Sequence, residues 1–128
     1  MHLHHRIHDA CRNFLVSNSS PPRFRGIYTI RTSEAEMISF EWDPFKADKN
    51  LIKHIVSFSE AASSFADPLS LTIFDPDHSE SEDRFLLLGV STSERLLVVS
   101  HTVQNGTIRI ISARRANRNE RRQYEARH

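Results

Sequence analysis

The patterned part of the chain carries three histidines, His54, His78 and His101, each near the end of an expected helix or strand, in company with many cations. Arg84 opens an expected strand, Arg109 sits within one, and Arg114 and Arg115 follow the last. This set suits phosphodiester cleavage without a metal. Cleavage through a ribose 2′-hydroxyl needs a base for its proton, an acid for the leaving 5′-oxygen, and cations around the developing phosphorane charge. Histidine titrates near neutrality and serves in either proton role. Arginine's planar fork matches phosphate oxygens. Any one of these histidines is more often structural; the set says more than its members. Asp75, Asp77 and His78 offer oxygen and nitrogen ligands for a metal, but turn clusters of this kind are usually solvated. Three glycines provide no phosphate-cradling loop, and Cys11 lies in an unpatterned stretch, so neither a cofactor nor cysteine nucleophile chemistry is expected.

Those residues need a scaffold, and it is legible from Met37 onward. Ile38, Phe40 and Trp42 alternate with Ser39 and Glu41, as in a strand. Asp43-Pro44 then starts a helix, with Asp as cap and Pro pre-organised for the first turn. At about 100° per residue, Phe45, Ala47, Leu51, Ile52 and Ile55 share one arc, expected to face a core. Lys46, Lys49 and Lys53 cluster opposite, with Asn50 and His54 at their edge. Ser57 and Glu60 spell a capping box for a second helix through Ala61, Ala62 and Phe65, ended by Asp67-Pro68. Leu69, Leu71 and Ile73 alternate as a strand, and Asp75-Pro76-Asp77-His78 marks a turn. Three strands follow, 84–90, 96–103 and 107–114, with Gln104-Asn105-Gly106 as a hairpin signal. Asn117 and Glu120 form another capping box for a helix over about 118–126. The class is α+β: a strand and two helices, then an antiparallel meander and a short C-terminal helix, the helices expected on one face of the sheet.

The 128 residues and net charge of +1 suit one domain with an appendage. Charge is unevenly spread. Six arginines between Arg114 and His128 meet only Glu120 and Glu125, while Asp75, Asp77, Glu80, Glu82 and Asp83 make the middle acidic. A basic end on a near-neutral chain suits a polyanion or an acidic protein surface. A single cysteine rules out an intrachain disulfide, and no run is long and apolar enough to span a membrane, so a cytoplasmic protein is expected. Residues 1–36 lack sustained periodicity, and a Ser-Asn-Ser-Ser-Pro-Pro breaker interrupts them. They are expected to form a poorly ordered extension of a 37–128 domain, with an edge strand at Ile27–Ile30. Their His2, His4, His5 and His8 are expected to be incidental.

The blocks FEWDPFKADKNLIKHIVSFSEAASSFADP, DHSESEDRFLLLG, RLLVVSHT and RIISARRANRNERRQYE resemble the BrnT-type toxins of bacterial toxin–antitoxin pairs over nearly all of 37–125. The resemblance implies a small RelE-like ribonuclease fold that inhibits translation by cutting RNA. It also implies a BrnA-type antitoxin that neutralises the toxin in a hetero-oligomer and contributes the DNA-binding part of an autorepressor, so DNA is met only indirectly. A catalytically weak module that merely holds the antitoxin and assists repression is the alternative. Within the shared blocks, His54 and His78 are the candidates for proton transfer, and Arg84, Arg109 and Lys53 for phosphate or transition-state charge. Glu82 is a further candidate base. Lys46, Lys49, Arg114 and Arg115 are candidate RNA contacts. Trp42, Glu120 and Tyr124 share the blocks but are expected to pack the core and cap a helix.

Two departures from the family pattern carry physical content. Ile55 stands where the family usually has the glycine that ends the first helix, so either the helix ends differently or the chain bears some strain. Glu94 replaces a glycine common in the hairpin before Arg95. The family typically begins near Met37, which is therefore the expected start of translation.

Overall fold

A computed structural model describes residues 15–18, 26–31, 37–79 and 81–127, with side chains from Ile38 onward. Seven strands form one mixed sheet: β1 (Leu15–Asn18), β2 (Gly26–Arg31), β3 (Met37–Trp42), β4 (Leu71–Phe74), β5 (Phe85–Val90), β6 (Leu96–Gln104) and β7 (Thr107–Arg115). Their spatial order is β1-β2-β3-β7-β6-β5-β4. The meander from β4 to β7 is antiparallel throughout, as the sequence patterning predicts, and β3 joins it parallel to β7. The strand expected at Ile27–Ile30 is present but is not at an edge, since β1 pairs outside it. His2, His4, His5, His8 and Cys11 lie outside the described residues.

Three helices cover the sheet: α1 (Pro44–His54), α2 (Phe58–Ser63) and α3 (Arg118–Ala126). They do not share a face, contrary to the sequence expectation. Strand alternation sends Leu97, Val99 and Ile110 into one core with Phe40, Trp42, Val56, Phe58, Ala61 and Ala62, beneath α1 and α2. The opposite parity sends Leu88, Leu96 and Val98 into a second, smaller core closed by Tyr124 of α3. A meander so apolar on both parities needs a cover on each side, and α3 is the element left to supply it. The Tyr124 hydroxyl donates to buried Asp67 at 2.6 Å, which ties that cover to the turn after α2. The same carboxylate accepts from the backbone N–H groups of Leu69 and Val90.

The chain's punctuation works largely as its chemistry dictates. Asp43 accepts from the Phe45 N–H at 2.8 Å and Pro44 opens α1. Asn105 and Gly106, at φ 52° and 78°, make the two-residue hairpin between β6 and β7. Asn117 and Glu120 form a complete capping box. The box expected at Ser57 is only half made. Ser57 accepts from the Glu60 N–H, but the Glu60 carboxylate turns instead to Arg95 and to the Ser91 hydroxyl at 2.7 Å. A charged guanidinium outcompetes a backbone N–H for a carboxylate. Gly89 is required by space: a Cβ there would sit 2.7 Å from the Ser64 carbonyl oxygen of the 3₁₀ turn Ser64–Ala66.

The helix α1 corrects the sequence reading most sharply. Phe45, Leu51, Ile52 and Ile55 do not face the core; they are exposed, and only Ala47 of the expected arc is partly buried. The side that faces inward carries Asn50, Ala47 and His54, a turn of about 110° from the expected orientation. The cause lies in β7. Strand β3 pairs only with residues 107–109, which leaves the backbone of Ala113 without a strand partner on that side. Buried backbone groups must be satisfied, and the Asn50 carboxamide does it. Its Oδ1 accepts from Ala113 N–H at 3.0 Å, and its Nδ2 donates to the carbonyls of Ala113 and Val56, both at 2.9 Å. One buried amide thus replaces a strand and fixes the helix's roll.

Candidate active site and its cationic groove

On the face that α3 covers, the covered end gives way to a polar end. Following the pairing register from Leu88 through Leu86 brings β5 to Arg84, one step beyond the Phe85–His101 pair and therefore beside Thr102. Thr102 pairs directly with Arg109 of β7, and Arg109 with Glu41 of β3. The result is a cross-strand row, Arg84–Thr102–Arg109. Three buried polar atoms in the described side chains have no hydrogen-bond partner: Arg84 Nε, Thr102 Oγ1 and Arg109 Nε. All three belong to this row. Leaving such groups unpaired costs roughly 1–3 kcal/mol each, so their concentration in one row calls for an explanation.

The β4–β5 connection overhangs the row. Glu82 pairs with the Arg109 guanidinium. His78, on the 3₁₀ turn Pro76–His78, donates from Nδ1 to the Asp75 carboxylate at 2.9 Å, a contact that does not involve Nε2. Asp77, His78, Ser81 and Arg84 line an open pocket of about 260 Å³. Asp75 and His78, two of the three residues considered as metal ligands, are thus bonded to each other. The site gathers an oriented imidazole, a carboxylate and two guanidiniums, the types required for metal-free transfer at phosphorus.

A second groove lies along α1. Lys46, Lys49, Asn50, Lys53 and His54 line it with Ile111 and Ser112 of β7, enclosing about 290 Å³. Ile111 occupies a bulge, where the β6–β7 register shifts between Ser100 and His101. Ile111 and Ser112 lie roughly 7–10 Å along β7 from Arg109, at about 3.3 Å per residue. His54 and His78 therefore belong to two different grooves, and Lys53 accompanies His54.

The remaining candidates have other partners. Arg114 forms a two-pronged pair with Glu120, both contacts 2.8 Å. The Arg114 bond and burial act oppositely on Glu120, and the bond wins, holding its carboxyl below the usual range. This fork pins α3 to the sheet. Arg115 is exposed. Trp42 is buried edge-on against Phe58, with ring centres 6.0 Å apart. His101 lies in the core against Phe65 and Phe85, and burial lowers its pKa despite an opposing bond to the Val99 carbonyl. Sequence reasoning missed Thr102 and Asn50. Thr102 gives no signal until the register sets it between two arginines. Asn50 stands with His54 at the edge of the lysine cluster, and nothing local shows that it bonds the β7 backbone.

No curated protein matches the chain. A family model described as a ribonuclease toxin, BrnT, of a type II toxin–antitoxin system matches residues 42–120, a span that holds both grooves and the whole Arg84–Thr102–Arg109 row. With well over half its length covered by that model, the chain belongs to the BrnT family of type II ribonuclease toxins.

Proposed function

We propose that the Arg84–Thr102–Arg109 row holds the scissile phosphate of an RNA strand and that the chain cuts it without a metal, thereby inhibiting translation. The observation that carries this is the set of three unpartnered buried polar atoms in one row beside His78 and Glu82. Two guanidiniums offer their forks to the phosphate oxygens and oppose the charge that grows on them in the phosphorane. Thr102 lies buried between them. Glu82 occupies an anion position on Arg109 that the incoming phosphate takes over, and the released carboxylate accepts the 2′-hydroxyl proton. His78, held by Asp75, delivers a proton from Nε2 to the departing 5′-oxygen. Lys46, Lys49, Lys53 and His54 bind neighbouring phosphates in the α1 groove, along β7 from the row. Arg115 extends the positive surface, and Arg114 keeps α3 in place through Glu120.

The fold is RelE-like on this reading, and the neutralising partner is a BrnA-type antitoxin that also carries the DNA-binding function of an autorepressor. The test of function is growth arrest on induction of the full chain, beside Arg84→Ala and Arg109→Ala. Loss of arrest with retained antitoxin binding supports catalysis at this row. Arrest undiminished in both variants overturns it, and favours a module acting through binding alone.

A further inference from the structure

Four large apolar side chains of α1 and its C-cap lie exposed on the side turned away from the core, around Asp48. Phe45 is 78% exposed, Ile52 80%, Ile55 66% and Leu51 47%. Phe45 and Ile52 stand seven residues apart, two turns along the same side of the helix. Lys49 and Lys53 flank that row on one side, with Lys46 next to them, and Asp48 interrupts the other. Exposed large apolar side chains beside a strip of lysines, with the single carboxylate of Asp48 among them, mark a candidate protein-binding surface.

Ile55 adds an independent observation. It closes α1 in the left-handed conformation, at φ 57° and ψ 38°. That conformation is disfavoured for a β-branched residue and natural to glycine. The cap itself needs only the backbone, through the Ile55 N–H to Leu51 O at 3.0 Å and the Arg95 guanidinium on the Ile55 carbonyl. The side chain serves neither contact and points to solvent beside Leu51 and Ile52. The left-handed cap at Ile55 thus places a further large apolar side chain on the surface next to Leu51 and Ile52.

We infer that the Phe45–Ile52 face of α1, completed by Leu51 and Ile55, is the docking surface for the antitoxin, and that its occupant is an amphipathic helix with an apolar row bordered by Asp or Glu. The inference rests on the antitoxin partnership that the family implies and adds where and by what chemistry the partner binds. Charge complementarity selects the occupant: the lysines beside the apolar row attract carboxylates and repel a basic segment. A helix laid on this face also runs along the lysine groove, so its acidic border competes with RNA phosphates for Lys46, Lys49 and Lys53. Docking and inhibition then become one event.

The test is calorimetric titration of the full chain with the antitoxin encoded beside it, using wild type, Phe45→Ser/Ile52→Ser and Lys49→Glu/Lys53→Glu. These residues are exposed, and circular dichroism checks that each variant is folded. The serine pair is expected to weaken binding at least about 30-fold, as loss of paired interface anchors does. The charge reversal is expected to weaken it about tenfold and to flatten its salt dependence. Wild-type binding that the serine pair leaves within twofold overturns the docking surface alone. Loss with the serine pair but not with charge reversal overturns the acidic border. No binding by wild type overturns the partnership itself, and self-association of the chain that the serine pair abolishes reassigns the face to a second copy.

Discussion

Replacing Ile55 by glycine is expected to make the protein more stable, although it deletes a large hydrophobic side chain. The left-handed conformation observed at Ile55 costs a non-glycine residue roughly 1–2 kcal/mol. Glycine adopts it without strain but loses about 0.5–1 kcal/mol more backbone entropy on folding. The side chain is 66% exposed, so little buried area is forfeited. Both hydrogen bonds at the position use backbone atoms and survive the change. The net gain is centred on about 0.75 kcal/mol, between about 0 and 1.5, which for a chain of this size raises Tm by roughly 3 °C. Calorimetric melting of the full chain at neutral pH measures it, and urea unfolding followed through the single buried tryptophan, Trp42, provides an independent value. Glu94→Gly, at φ 61°, should move Tm in the same direction. An unchanged or lowered Tm for Ile55→Gly refutes the reasoning, because it means that the side chain stabilises the folded chain by more than its strain costs. The same substitution is expected to weaken antitoxin binding, which separates a gain in stability from a loss of function in one variant.

Asn50→Ala should lower stability by about 2–4 kcal/mol, since it strips three hydrogen bonds from buried backbone groups of Ala113 and Val56; chemical denaturation reads the loss directly. Tyr124→Phe removes the hydroxyl donor to buried Asp67 and should cost about 1–2 kcal/mol by the same assay. His101 supplies a pH dependence. Burial depresses its pKa below the ordinary 6.5, so the unfolded chain binds a proton that the folded chain refuses. Its stabilising contribution is therefore complete above about pH 6.5 and lost as pH falls through the next units. Tm measured between pH 7.5 and 5.5 should fall more steeply for wild type than for His101→Phe, and equal slopes contradict the assignment.

Local rules predicted most of the elements here, and long-range competition decided what local rules could not. Caps and turns are short-range: Asp43, Pro44, Asn105-Gly106 and the Asn117–Glu120 box act within a few residues and are readable as they stand. The roll of α1 is different. Its apolar arc suggested one orientation, but the unpaired backbone at Ala113, sixty-three residues away, imposed another through Asn50. Glu60 likewise abandons its local cap for Arg95, thirty-five residues on. The cover of α3 on the second face follows from the meander's apolar residues of both parities, once the strands are aligned.

The candidate site shows the same division. Arg84, Arg109, His78 and Glu82 were visible as residue types, and their gathering at one end of the sheet follows from strand pairing. Periodicity alone did not separate His54 from His78, nor commit Arg114 to Glu120, because both outcomes depend on which face each strand presents. Thr102 becomes chemically interesting only through its neighbours. The exposed Phe45–Ile52 row was read as core because an amphipathic helix in isolation does not say whether its partner is its own sheet or another protein.

Metal-free RNA cleavage at the Arg84–Thr102–Arg109 row is open to direct test. The most direct measurement is cleavage of a long single-stranded RNA by the purified full chain in excess EDTA, beside an Arg84→Ala/Arg109→Ala variant shown to be folded. Wild type is expected to cut and the variant to lose at least about a hundredfold, in line with removal of two groups that oppose transition-state charge. Equal cutting by both proteins, or cutting that EDTA abolishes, contradicts that reading.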